Sequence, residues 1–166
     1  MSIVIRKASQ ADRTSIQRLL LEAGLHAQGV DQAVDRFLLI EQEEEGGHKT
    51  AIGTIGLEIV AGKYGLMRSL VIKNGPGTAQ LGAELLRLFV AYVETMEIEQ
   101  LYLLTQSTTV PLFIHIGFST IERERVPHAV AQSPHFLAYS QQDVVCLVKN
   151  YTSTSYPQHH VDSVNK

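Results

Sequence analysis

The stretch from Leu66 to Leu86 constrains the fold more than any other part of the sequence. An apolar strand, Leu66 to Ile72, stops at a turn built from Asn74, Gly75, Pro76 and Gly77. A helix then starts near Thr78 and carries apolar residues at Leu81, Leu85, Leu86 and Leu88. A second apolar strand, Gln100 to Leu104, follows the helix, so the unit reads as strand, helix, parallel strand. A glycine-bearing loop that opens a helix aims unpaired backbone N–H groups and the positive end of the helix dipole at one point. That is an anion site, most often a phosphate site. Any strand-turn-helix unit has this outline, so its surroundings decide the reading.

Length and composition narrow the field. The 166 residues make one domain with room for a proper core, and 45% apolar with 19% charged residues is ordinary for a soluble globular protein. A net charge of -3 with no basic run argues against nucleic acid as a partner. A lone cysteine, Cys146, excludes a disulfide framework and favours a reducing, cytoplasmic setting. No apolar stretch approaches the ~20 residues of a membrane span, so no membrane partner is expected. The N-terminus, MSIVIRKASQ, lacks the build of a signal peptide and reads as a first strand.

In order, Ile3, Ile5 and Ala8 give a short alternating strand, and Ser9 caps a helix with Ile16, Leu19, Leu20 and Ala23 at helical spacing, stopped by Gly24. The segment from His26 to Asp35 holds a short irregular helix, and Phe37 to Ile40 is the next strand. Glu41 to Gly47 is a hairpin turn whose acidic run, Glu43 to Glu45, reads as a solvated tip and not a metal site. Lys49 to Val60 and Gly65 to Ile72 are strands joined through Ala61, Gly62 and Lys63. The long amphipathic helix runs from about Thr78 to Glu97. Pro111 opens a short helix that ends at Gly117, Phe118 to Arg123 and Val144 to Val148 are strands, and Val126 to Tyr139 is a small helix plus loop. Residues 1–149 read as a single domain and residues 150–166 as a mobile tail. His159 and His160 in that tail read as solvated, and no metal is expected.

This order gives a mixed α/β sheet, antiparallel early and parallel around the long helix. It resembles the GNAT superfamily, the acyl-CoA-dependent N-acetyltransferases, over nearly the whole chain up to Lys149. The opening stretch looks like that family's acetyl-CoA site, LYLLT (Leu101 to Thr105) like its next strand, and PLFIHIGF (Pro111 to Phe118) like its turn of helix before the sixth strand. In the last of these Phe113, Gly117 and Phe118 fall on the family's Tyr, Gly and final Phe. Within the superfamily the chain resembles amino-acid-type N-acetyltransferases associated with arsenic resistance, on GLE (Gly56 to Glu58), LMRSLVI, LYLLT, Ile116 to Val130 and VVCLVK. The resemblance implies a central twisted mixed sheet of about six to seven strands with helices on both faces. It also implies an acyltransferase that moves acetyl from acetyl-CoA to the primary amine of a small amino acid or analogue in a ternary complex. A homodimer is a family expectation. The alternative is a catalytically weak or inactive acyl-CoA-binding regulatory module.

On that resemblance the loop Gly77, Thr78, Ala79, Gln80, Leu81 and Gly82 offers its N–H groups to the CoA pyrophosphate. Leu70, Val71 and Ile72 pair through the backbone with the pantetheine, and an N–H at Leu70 or Val71 holds the oxyanion. Two departures stand out. The family loop usually reads Arg/Gln-x-x-Gly-x-Gly/Ala, and here only Gly82 fits, with Gln80 in place of a glycine. Phe113 also stands where many members place a Tyr acid, a loss eased by a thiol pKa of ~8.5; Tyr102 and Tyr139 are weak substitutes. Glu58 is the candidate base, acting through water, against the bland reading of a solvated strand-end carboxylate. Arg68, a charge within an apolar strand, suggests an anionic group on the substrate or a structural salt bridge to Glu58 or another acid. Ser69 alternates to the other face. Thr105 and Gln106 fit substrate or pantetheine contacts and fit a plain loop start as well. Cys146 reads as a core thiol, His115 as part of an exposed face, and His128 and His135 as residues of a segment that could cover a substrate pocket.

Overall fold

The computed structural model describes residues 2–139 and 143–151. The expected mobile tail, with His159 and His160, lies outside the described residues apart from Asn150 and Tyr151. Among the described residues seven strands hydrogen-bond in the order β1-β2-β3-β4-β5-β7-β6. They are β1 (Ser2–Lys7), β2 (Phe37–Glu43), β3 (Lys49–Val60), β4 (Tyr64–Ile72), β5 (Gln100–Gln106), β6 (Ser119–Thr120) and β7 (Val144–Asn150). The helices are α1 (Arg13–Glu22), α2 (Thr78–Glu94), α3 (Val110–His115), α4 (His128–Ala131) and α5 (Pro134–Tyr139). The chain divides into two compact units, Met1–Glu58 with Met67–Tyr92, and Ile59–Leu66 with Val93–Lys166.

In the first unit β1 and β2 are antiparallel, with Ile5 opposite Ile40, and β2 pairs antiparallel with β3. Helix α1 buries Ile16, Leu19 and Leu20. It ends as its sequence dictates: Gly24 adopts φ 79, Leu25 N–H donates to the Leu20 carbonyl and Gly24 N–H to Leu21, a Schellman close. These side chains meet Ala8, Val30, Val34, Phe37 and Leu39 in one apolar core. Gly56 faces Phe37 across the β2–β3 pair, and a Cβ there would lie 2.5 Å from the ring, so any side chain would force the buried ring to shift. Arg6 clamps the unit at its edge: it donates to both Asp12 carboxylate oxygens at 2.9 and 2.8 Å and to both Glu41 oxygens at 3.0 Å.

In the second unit β4 pairs in parallel with β5 over Tyr64–Leu66 and Gln100–Tyr102, as a crossover through α2 demands. Strand β7 pairs antiparallel with β5 and carries β6 on its other side. Leu66, Tyr102, Val126, Val130, Phe136, Cys146 and Val148 form the core of this unit. Phe113 and Phe118 stack edge to face, centroids 5.6 Å apart, both buried.

Several boundaries differ from the sequence pattern. Strand β2 continues to Glu43, because Glu41 has Arg6 as a partner and is not part of the turn. Helix α2 stops at Glu94, three residues before Glu97. Strand β5 extends through Thr105 and Gln106 because both pair with β7. The strand expected from Phe118 to Arg123 shrinks to Ser119–Thr120, since the charged run Arg123–Arg125 folds into a 3-10 turn. Val126 to Tyr139 holds two short helices, and β7 runs on to Asn150. Ile3 and Val4 are exposed because β1 is the edge of the sheet.

Candidate functional site

The outer half of β4, Met67 to Ile72, and the loop after it lie in the first unit. Arg68 is 5% exposed, and its Nε donates to Ser69 Oγ at 2.9 Å. Its Nη1 donates to the Gln28 carbonyl at 2.8 Å, and its guanidinium carbon sits 5.9 Å from the centre of the Phe37 ring. Ser69 does not continue the strand's simple alternation: it takes φ 66, a left-handed conformation that costs an L residue roughly 1–2 kcal/mol. A left-handed residue inside a strand breaks the pleat and re-aims the backbone after it. Beyond it, the Lys73 N–H donates to the Ile52 carbonyl at 2.8 Å, and the Val71 carbonyl would stand 3.0 Å from a Cβ on Gly53. Successive residues of a strand present their backbone groups to opposite sides, so 71 and 73 face β3 while Leu70 and Ile72 face away from it. Leu70, Val71 and Ile72 are half-buried.

The loop itself is exposed from Lys73 to Gly77, and Gly77 adopts φ 77, which glycine takes without strain. Thr78 closes the turn, its Oγ donating to the Gly75 carbonyl at 2.6 Å. The Leu81 N–H reaches the Gly77 carbonyl at 3.0 Å. Among the described residues the N–H groups of Ala79 and Gln80 have no carbonyl partner, as expected in the first turn of a helix. A cleft of about 530 Å³ opens here, lined by residues 73–78 with Gln80, Leu81 and Glu84, and by Ile3, Gln42 and Ile52. Gln80 is exposed and lines the cleft. A Cβ on Gly82 would sit 3.3 Å from Ile72 Cδ1, so glycine there permits close packing of α2 on β4. A smaller cleft of about 220 Å³ gathers Arg18, Lys49 and Lys73 with Glu22, a cluster with no local signature because its members are far apart in sequence.

Other expected residues fall as follows. Glu58 is half-buried near the end of β3, in the first unit. Thr105 is half-buried in β5 of the second unit, its hydroxyl bonded to that of Thr109. Tyr102 is a core residue whose hydroxyl donates to Gln100 Oε1 at 2.7 Å, and burial pushes its pKa up to about 12. Cys146 is buried, and its thiol is pushed up to about 11 by that burial, so it is a packing residue. His115 and His128 are exposed; His135 is buried, its ring 4.9 Å from that of Tyr139. The sequence reading missed His26: burial, aided by the nearby Arg68 charge, holds its pKa below the ordinary value, and its Nδ1 accepts the Gln28 N–H at 3.3 Å.

No protein-family model matches the sequence. The chain is 27% identical over 146 residues to the uncharacterized protein YwlB of Bacillus subtilis, covering 87% of this chain and 95% of that protein. The N-acetylglutamate synthase of Neisseria gonorrhoeae, complexed with coenzyme A and N-acetyl-glutamate, superimposes with a TM-score of 0.69 at 20% identity over 91% of this chain. The match takes in 35% of the synthase, so this chain spans about a third of that protein's length. An acetyltransferase of the GNAT family from Staphylococcus aureus superimposes with a TM-score of 0.65 at 15% identity, over 90% of this chain and 99% of that one. The chain has the GNAT acetyltransferase fold. The expected mixed sheet of six to seven strands is therefore the observed one, with seven.

Proposed function

We propose that the protein is an acetyl-CoA-dependent N-acetyltransferase that acts on the primary amine of a small amino acid or amino-acid analogue. One observation carries the reading: within a GNAT fold, β4 turns through a left-handed Ser69 and then delivers a glycine loop to a helix start with unpartnered N–H groups. The Ala79 and Gln80 N–H groups would receive the pyrophosphate, with Gly77 allowing close approach. The donor set fits a phosphate through the backbone alone, so the missing arginine does not remove the site.

When bound, acetyl-CoA supplies the activated acyl carbon. Leu70 supports the oxyanion better than Val71 does, because the Val71 backbone faces β3. The Leu70 and Ile72 backbone edges can pair with the pantetheine amides as an added strand would. Attack by the amine forms the C–N bond, the C–S bond breaks, and the thiolate leaves and takes its proton from solvent. Glu58, through a water, would take the proton lost by the ammonium. Phe113 is buried against Phe118 and contributes no acid. The amino-acid class rests on the likeness to amino-acid-type acetyltransferases, and Arg68 is the proposed counter-charge to the substrate's carboxylate.

The test is release of free thiol from acetyl-CoA with a panel of amino acids, phosphinothricin-like analogues included. Amine-dependent release supports the reading. Acetyl-CoA binding without release for any amine overturns the enzyme and leaves an acyl-CoA-binding module.

A further inference from the structure

Ser69 poses a problem that the catalytic reading does not solve. A serine inside an apolar strand has no reason of its own to adopt φ 66, yet the site needs the strand re-aimed there. The residues around it supply the missing force. Ser69 and Arg68 are 8% and 5% exposed, so the bond from Arg68 Nε to Ser69 Oγ is shielded from water. The same guanidinium is held at its far end by the Gln28 carbonyl and lies over Phe37. Gln28 is fixed in turn, its N–H donating to His26 Nδ1 and its neighbour Gly29 taking φ 82. A Cβ on Gly29 would lie 3.5 Å from Arg68 Nη1, an ordinary contact, so glycine is favoured there by its positive φ and not by lack of space.

We propose that Gln28, Arg68 and Ser69 form a clasp that holds β4 in its left-handed turn and thereby aims the Leu70 N–H at the acyl carbonyl. Arg68 and Ser69 are positioning residues in this role. The segment from His26 to Gly29 becomes part of the apparatus although it supplies no side chain to the chemistry. The clasp rests on the acetyltransferase reading for its purpose, but not for its existence. An αL position held by a hydroxyl bond has a distinctive substitution pattern: alanine loses the bond and keeps the strain, whereas glycine loses the bond and the strain together.

The experiment compares wild type with Ser69→Ala, Ser69→Gly and Arg68→Lys in two measurements. In turnover, Ser69→Ala is expected to lower kcat about tenfold or more, because small misplacements of catalytic groups are costly, with KM for acetyl-CoA moved little. The drop is expected to be the same for an amino acid and for its carboxamide, since the fault lies at the carbonyl. Ser69→Gly should keep more activity than Ser69→Ala, and Arg68→Lys should behave like Ser69→Ala on the carboxamide. An unchanged kcat in Ser69→Ala, or a loss confined to KM for carboxylate-bearing amines, overturns the clasp. In hydrogen exchange, the Lys73 amide, which donates to the Ile52 carbonyl just beyond the turn, should exchange about tenfold faster in Ser69→Ala than in wild type, and less so in Ser69→Gly. Should the wild type acetylate nothing, the acetyltransferase reading fails and the exchange measurement alone decides the clasp; equal exchange in all four proteins overturns it.

Discussion

Asp12→Asn tests the clamp that ties β1, β2 and the start of α1 together. The Asp12 carboxylate accepts from Arg6 Nη1 at 2.9 Å, from Arg6 Nη2 at 2.8 Å and from the Ser9 N–H at 2.8 Å. Its side chain is 12% exposed, that of Glu41 16%, but that of Arg6 35%, so solvent screens part of the attraction. A net hydrogen bond to a charged group contributes about 1.5–3 kcal/mol, and breaking a fully buried pair costs about 3–5 kcal/mol. Glu41 remains to hold Arg6 in the variant, so the lower range applies, and a loss of about 2 kcal/mol is expected. In urea at pH 7 this lowers the midpoint by roughly 1 M, given an m-value of about 2 kcal/mol/M. Arg6 hydrogen bonds, the largest cause, hold the pKa of both Asp12 and Glu41 below the ordinary carboxylate value. A depressed folded pKa means stability that is complete above the unfolded value of about 4 and disappears as pH falls through the folded one. The gap between wild type and Asp12→Asn should therefore close below about pH 4. A loss under about 0.5 kcal/mol, or a gap that stays constant from pH 7 to 3, would refute the reasoning.

Gly56→Ala drives a methyl group into the Phe37 ring, since the added carbon would stand 2.5 Å from two ring atoms; overpacking of this kind costs about 1–3 kcal/mol, seen as a lower thermal midpoint. Cys146, buried with a thiol pushed up to about 11, should react with iodoacetamide at pH 8 at least about a hundredfold slower than a free thiol, with the difference lost in denaturant. Ala79→Pro removes one of the two unpartnered N–H groups at the start of α2, where the first helical turn accepts proline, so it should weaken acetyl-CoA binding with little change in stability.

Much of the fold is written locally. The range Lys49–Val60, the turn at Ala61 to Lys63 and the start of α2 at Thr78 follow from apolar alternation interrupted by glycine and from a threonine that can close a turn. What the sequence does not show is set by partners far along the chain. The insertion of β7 between β5 and β6 depends on pairings of residues far apart in the sequence, such as Leu104 with Cys146 and Ser119 with Val148. Glu41 looks like part of an acidic turn until Arg6, 35 residues before it, makes it a strand residue. In the site, the loop was legible because glycine and proline punctuate it. Ser69 was not, because a serine in an apolar strand gives no sign of a positive φ, and its holder Arg68 takes its far bond from Gln28, 40 residues away.

The central claim is that the loop from Gly77 to Gly82 receives acetyl-CoA through the backbone. Calorimetric titration of acetyl-CoA into wild type and Ala79→Pro tests it most directly. The account predicts one-to-one binding by wild type that weakens about tenfold in Ala79→Pro, the cost of one charge-assisted N–H bond. Equal affinity in the two proteins, or no heat of binding with wild type, would contradict it.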